Sequence, residues 1–282
     1  MQHRSAVGLL LITAVLWSLG GVLIKSAEWP SLAKAGARSF FAAIVLLAWI
    51  RRPVITWSRS QIGAAIAYAA TVSLFVVAND RTTAANAIFF QYTAPIHVAL
   101  LGGWLLGEKA LRIDWICIGV ALLGIALFFR DHFDTRGAWG IAAALGSGFS
   151  FGVMVLCLRM ERERSPATSL LLGNLLTVLI SLPVAAQAGM PSAHTCAVLT
   201  VLGIFQLGIP YVLYSISIQR VSAIEAILIP MLEPILNPIW VALQSGEVPG
   251  PWSICGAILV LGAVTARGIF GRAANVAGNS KE

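Results

Sequence analysis

Charge is what this sequence has least of. Of 282 residues, 11% are Asp, Glu, Lys or Arg, while 58% are hydrophobic. A water-soluble domain carries about 25% charged residues, so this chain cannot cover a water-facing surface, and most of its exterior must face lipid. Acidic groups are the scarcer sign, 12 against 19 basic, which leaves a net charge of +7. The basic residues stand in short clusters between apolar runs, not in one patch, which argues against nucleic-acid binding and fits membrane topology signals. Cysteine is sparse as well. Cys117, Cys157, Cys196 and Cys255 lie in or beside apolar runs and form no C-x-x-C, so neither a disulfide framework nor a zinc site is expected. No H-E-x-x-H, P-loop or paired-aspartate motif is present. The expected protein is therefore not an enzyme and needs no cofactor or metal.

What the sequence does contain is long apolar runs. About 20 mostly apolar residues cross the hydrocarbon core as a helix, and ten such runs can be marked: 6–25, 33–50, 62–79, 84–106, 113–129, 138–158, 167–187, 197–218, 223–244 and 252–270. Loop punctuation such as "EWPS", "RRP", "RDHFDTRG" and "GEVPGP" separates them. The loops leave no room for a separate soluble domain. The first run is too long for a signal-peptide core and closes on no clean cleavage site, so it reads as a retained helix. With the N-terminus inside, 13 Lys and Arg fall on the inner side and 6 on the outer, which predicts that both termini are cytoplasmic. The expected fold is an all-α integral membrane protein of ten transmembrane helices.

The chain also repeats itself. Shifting by 139 residues lays Arg81–Glu108 on Arg220–Glu247, and 8 of those 28 positions are identical, Pro95/Pro234 and Glu108/Glu247 among them. Roughly two identities would arise by chance. The halves, 1–132 and 133–282, each hold five runs. An odd number inverts the second half relative to the first, the arrangement by which many secondary transporters alternate access to a midplane site. A channel or a scaffold shares the pattern, but a scaffold has no need of ionisable groups at mid-membrane.

"LWSLGGVLIKSA" in the first run, "QYTAPIHVALLGGWLLGEKALRIDWICIGVALLGIAL" in the first half and "MLEPILNPIWVALQSGEVPGPWSICGAILVLGAV" in the second resemble EamA-type transporters of the drug/metabolite transporter superfamily. Arg38, opening the second run, resembles that family's basic residue there. The tryptophan-rich, His-containing core is also similar to bacterial amino-acid exporters of the YddG kind, which handle aromatic amino acids. The resemblance spans nearly the whole chain and implies a multi-pass transporter of the bacterial inner membrane. The second half's opening, "GSGFSFGVMVLCLRM", lacks the Trp and the Lys, so Trp17 and Lys25 need no symmetric partners.

Glu233 is the sharpest single feature, because an ionisable group near mid-membrane costs several kcal/mol unless paired, hydrated or protonated. Its repeat mate is Ala94, so the repeat does not require it. Pro230, Pro234 and Pro238 remove backbone donors around it, and freed carbonyls in a membrane must be satisfied or line a wet cavity. Asn237, one turn beyond, offers a second polar contact. His97, Gln91 and Tyr92 supply polar groups in the fourth run, with His97 able to carry a proton. Trp17 and Ser18 in the first run, with Tyr211 and Tyr214 in the eighth, can form an aromatic wall for flat or cationic substrates. Lys25, Arg38, Glu225 and Glu233 are gate or coupling candidates. Each has a plainer reading: Lys25 snorkelling to the interface, Arg38 anchoring there, Glu225 hydrated at a helix end, Glu233 a protonated acid hydrogen-bonded to an exposed carbonyl near Pro230, Pro234 or Pro238, those prolines bending the helix for packing alone, and the aromatics and His97 simply packed. Gly148 and Gly152 form a small-xxx-small surface for close packing.

The expected function is export of small metabolites, amino acids first, aromatic and other neutral ones. The alternative is efflux of cationic or amphipathic drugs coupled to protons through Glu233. The partners are the lipid bilayer and the small-molecule substrate, and a monomer suffices.

Overall fold

A computed structural model of the chain describes residues 2–130, 137–236 and 250–279, and within these every regular element is a helix. The first half contains α1 (His3–Trp17), α2 (Gly20–Ser26), α3 (Ser31–Ile50), α4 (Arg59–Arg81), α5 (Ala84–Gln91), α6 (Ala94–Leu105) and α7 (Arg112–Phe128). The second contains α8 (Ala138–Met160), α9 (Pro166–Ala188), α10 (Ala193–Val201), a π turn (Leu202–Gly208), α11 (Ile209–Ser217), α12 (Ala223–Leu228), a 3-10 turn (Ile229–Leu232) and α13 (Pro251–Asn279). Among the described residues, seven helices or helix groups are long and apolar enough to cross a membrane, and His3–Trp17 is a shorter apolar one. Large side chains such as Leu100, Trp104, Leu179 and Ile258 stand exposed on the outside of the bundle. Apolar surface on that scale is not left to water in a folded protein, and lipid is its natural neighbour.

Several apolar runs that read as single helices are broken, and the breaks have chemical causes. Pro95 has no N–H to give the carbonyl of Gln91, and it is accommodated in the first turn of a new helix, where that donor is not needed. The run Ala84–Leu105 accordingly pauses at Tyr92 and Thr93, where α5 ends and α6 begins. Pro210 likewise has no donor for Gln206. The helix Ala193–Ser217 answers with a wider turn in which Ile209 bonds to the carbonyl of Ile204, five residues back. Pro234 has no donor for Pro230, and a 3-10 turn takes the place of α-helix before helical backbone resumes at Glu233. All three breaks face the interior.

The helices pack as a bundle in which α4 lies against α8 and α9, α3 against α9 and the π turn, and α7 against α13. The last pair is antiparallel: Ser253 donates to the carbonyl of Phe128 at one end, and Arg267 meets Asp114 at the other. Gly124 and Gly256 let these two backbones touch. A β-carbon on Gly124 would sit 2.8 Å from the carbonyl oxygen of Gly256, the close approach that small residues permit in membranes.

Charged groups mark the two ends of the bundle. At the end that carries His3, Glu108 pairs with Arg159 at 2.7 Å and accepts the Ala223 N–H at 2.9 Å, the first residue of α12. A carboxylate there answers both an unsatisfied donor and the positive end of the helix dipole. Glu161, fully buried, accepts from Ser58 at 2.6 Å and from Ser60. Arg267 bridges Asp114 and Glu225, and His3 lies 3.2 Å from Glu225. At the opposite end Asp80 accepts from Lys34 at 2.6 Å and from Ser31 at 2.5 Å. Among the described residues, every ion pair between the first and second halves lies at the His3 end.

Candidate functional site

The polar groups that the sequence scatters over five helices converge on one small internal cavity. It has a volume of about 40 Å³, room for a few water molecules. Trp17, Phe75, Phe151 and Tyr211 form its apolar wall, and Arg38, Thr71, Gln91, Gln206 and Glu233 are its polar groups.

Arg38 sits in the second turn of α3 and is 1% exposed. Its Nη2 donates to Oε1 of Gln206 at 2.5 Å, whereas Nε and Nη1 have no hydrogen-bond partner. Two unmatched donors on a buried cation are a large unmet demand, since removing a charge from water without compensation is expensive. Gln206 is carried by the π turn. A β-carbon on Gly20 would lie 2.7 Å from its Nε2, so the amide fills the gap between α2 and α3.

Glu233, 9% exposed, lines the same cavity as Arg38. No ion pair joins the two. Its Oε2 lies 2.7 Å from the hydroxyl of Tyr92, and the same hydroxyl lies 2.8 Å from the carbonyl oxygen of Pro230. That carbonyl is one that Pro234 leaves without its α-helical donor. It takes the Glu233 N–H in the 3-10 turn and the tyrosine besides. One turn earlier the pattern recurs. Pro230 cannot serve the carbonyl of Ala226, and Tyr214 donates to it at 3.1 Å. Two proline-freed carbonyls thus each receive a tyrosine hydroxyl from another helix.

The aromatic residues form one cluster. The ring of Trp17 lies 5.2 Å from Tyr211, 5.6 Å from Tyr214 and 5.9 Å from Phe151, and Tyr211 meets Tyr68 edge-on at 4.9 Å. Tyr68 in turn donates to Asn174 at 2.9 Å.

Of the residues singled out from sequence, Trp17, Arg38, Gln91, Tyr211 and Glu233 line the cavity. Gln91 donates to Ser147, which donates to the carbonyl of Thr71. Tyr92 reaches the cavity through Glu233, and Tyr214 packs behind Trp17. The hydroxyl of Ser18 turns back to the carbonyl of Val15 at 2.6 Å. His97 is half-buried against α8, its ring edge-on to Phe149 at 5.3 Å. Glu225 lies at the His3 end, beside a second cavity of about 380 Å³ between α1, α12 and α13. There it closes a capping box with Ser222, which the S-x-x-E pattern "SAIE" announces. Asn237 lies outside the described residues, as does the side chain of Lys25. Gln206, Phe75 and Phe151 were not anticipated. An uncharged amide inside "IFQLGIP", four residues before a proline, was the available signal for the first of these.

Comparison with known proteins gives a consistent picture. A model of the EamA-like transporter family matches residues 4–130 and again 138–266. An uncharacterized transporter of Archaeoglobus fulgidus is 23% identical over 256 residues, covering 90% of this chain and 93% of its own length. The threonine/homoserine exporter RhtA of Salmonella typhimurium is 24% identical over 255 residues, covering 85% and 83%. A solved crystal structure superposes with a TM-score of 0.79 at 17% identity, over 96% of this chain and 99% of its own, a likeness of fold.

Proposed function

The chain belongs to the EamA-like transporter family, and from that premise we propose that it exports amino acids, aromatic and other neutral ones, by alternating access. The supporting observation is the pairing of unlike groups in one cavity. Arg38 presents a buried cation with two unmatched donors, and Glu233 presents a carboxyl group that no cation holds. A zwitterion answers both: its carboxylate takes the Arg38 guanidinium and its ammonium takes Glu233. The wall of Trp17, Phe75 and Phe151 then suits an apolar or flat side chain. A permanently cationic drug would meet the Arg38 charge with nothing to neutralise it. The name of the Salmonella relative, a threonine/homoserine exporter, agrees with this substrate class.

In this reading ten helices, in two inverted units of residues 1–132 and 133–282, cross a bacterial inner membrane with both termini in the cytoplasm. The His3 end is then the cytoplasmic one, and its cross-half ion pairs hold it closed. The cavity is too small for an amino acid as it stands, so loading requires the walls around Trp17 and Phe151 to part.

Counterflow in proteoliposomes tests the proposal with labelled phenylalanine, labelled threonine and a quaternary-ammonium dye. Saturable exchange of the amino acids without the dye is expected. Exchange of the dye alone would overturn the reading and favour the drug-efflux alternative.

A further inference from the structure

The geometry at Tyr92 fixes a proton. Its hydroxyl has one hydrogen, yet two acceptors stand within hydrogen-bond distance, the Pro230 carbonyl at 2.8 Å and the Glu233 carboxyl at 2.7 Å. A carbonyl can only accept. If Glu233 were ionised, one of these contacts would bring lone pairs face to face with no proton between them. A neutral Glu233 removes the conflict: its O–H donates to Tyr92, and Tyr92 donates onward to Pro230. The surroundings agree. Among the described residues, the titratable or charged groups around Glu233 are Tyr92 from the α5–α6 break, Tyr211 from α11 and, across the cavity, Arg38 from α3. The side chain that α1 brings to the cavity is Trp17, which does not titrate. The guanidinium spends one donor on Gln206 and none on the carboxyl.

We propose that Glu233 carries a proton in the empty transporter and gives it up when substrate binds, so that each amino acid exported is exchanged for one proton. This rests on the zwitterion reading of the cavity. The substrate carboxylate binds Arg38, and its ammonium approaches Glu233. The carboxyl O–H bond then breaks, the proton leaves to water on the loading side, and the carboxylate pairs with the ammonium. The charge is accounted for: the empty site holds the Arg38 cation and a neutral acid, the loaded site holds two ion pairs and no net charge, and the difference is the proton released to water. On the other face a proton from that side restores the acid and releases the substrate. Proton and ammonium thus compete for a single carboxyl, which is the condition for antiport.

The same step reaches the backbone. Once Glu233 is ionised, the Tyr92 hydrogen swings from the Pro230 carbonyl to the carboxylate. Pro230 then keeps only its 3-10 bond to Glu233 N–H. That weakens the turn joining α12 to the helix resuming at Glu233, the place where Pro230 and Pro234 have already removed α-helical bonds. Tyr92 is therefore a positioning residue that ties protonation to a hinge.

The test uses the full chain purified in detergent, in weak buffer with a pH indicator, and with phenylalanine as the probe. The wild type is expected to release about one proton per phenylalanine bound. Glu233→Gln is expected to release none, and Glu225→Gln at the His3 end is expected to keep the release. In vesicles, an opposing pH gradient is expected to drive phenylalanine accumulation by the wild type and not by Glu233→Gln. Intact wild-type counterflow without proton release would overturn the antiport inference and leave the amino-acid reading standing. Release that survives Glu233→Gln but is lost in Glu225→Gln would also overturn it. Absence of phenylalanine counterflow would overturn the amino-acid reading itself.

Discussion

Single residues in this bundle are governed by one rule: a polar atom inside lipid must find its partner within the protein. The two tyrosines of the site obey it in different ways. Tyr92 serves a carbonyl and an acid together, whereas Tyr214 serves the carbonyl of Ala226 alone and is fully buried behind Trp17. Tyr214→Phe leaves that carbonyl without a donor, because Pro230 cannot supply one. A loss of about 1 kcal/mol is expected, in line with hydrogen bonds between membrane helices. Thermal unfolding in detergent should fall by about 2–4 °C, with substrate preference in counterflow unchanged. Much at this scale was legible in the sequence. A mid-span acid among three prolines announces both an ionisable site and freed carbonyls. That Tyr92 would meet Glu233, 141 positions away, was not legible, because neither periodicity nor spacing encodes which helices face each other. His97 shows the same limit: its chemistry suits a proton carrier, and the structure sets its ring edge-on to Phe149, against α8 and apart from the cavity lining.

Elements are shaped here by interruptions. The α5–α6 break, the π turn before Pro210 and the 3-10 turn before Glu233 each follow from a proline that removes one backbone donor, and each carries a residue of the cavity: Gln91, Gln206 or Glu233. Sequence located the prolines but not the form of backbone that would answer them, since α, π and 3-10 turns differ by one residue in hydrogen-bond reach. Close packing holds the first break in place. A β-carbon on Gly148 of α8 would lie 2.7 Å from the carbonyl oxygen of Gln91 and 2.8 Å from that of Phe90. These backbone atoms cannot turn aside as a side-chain tip can. Gly148→Ala is expected to lower stability by about 1–3 kcal/mol and to disturb Gln91, read as a depressed unfolding temperature together with weaker phenylalanine exchange. An unchanged unfolding temperature would mean that α8 and the α5–α6 break are not in contact. The small-xxx-small pair Gly148/Gly152 reads correctly from sequence as an internal packing face, because Gly152 likewise abuts Ala94 and His97.

At the scale of the whole molecule, the two halves are held together by charge at the His3 end, where Glu108 reaches both Arg159 and the first N–H of α12. The repeated Gly-Glu at the end of each proline-containing run was visible in sequence as Glu108 and Glu247. Its role as a bridge between halves was not visible, because the partners come from α8 and α12. Glu247 lies outside the described residues. Glu108→Gln keeps an acceptor for Ala223 but loses the charge facing Arg159. We expect it to shift the population by about 1 kcal/mol, about fivefold, toward opening at the His3 end. Cys157 sits near that end, half-buried close to Gly63. In a background with Cys196→Ser and Cys255→Ser, its rate of maleimide labelling should rise about fivefold in Glu108→Gln. An unchanged rate would show that this ion pair does not hold the end closed.

The central claim is that Arg38 and Glu233 grip opposite ends of one zwitterion. Its most direct test is competition in phenylalanine counterflow by two analogues, phenethylamine, which lacks the carboxylate, and 3-phenylpropionate, which lacks the ammonium. The expected result is that each competes far more weakly than phenylalanine with the wild type, and that Arg38→Gln abolishes the advantage of phenylalanine over phenethylamine. Phenethylamine competing as well as phenylalanine with the wild type would contradict the claim.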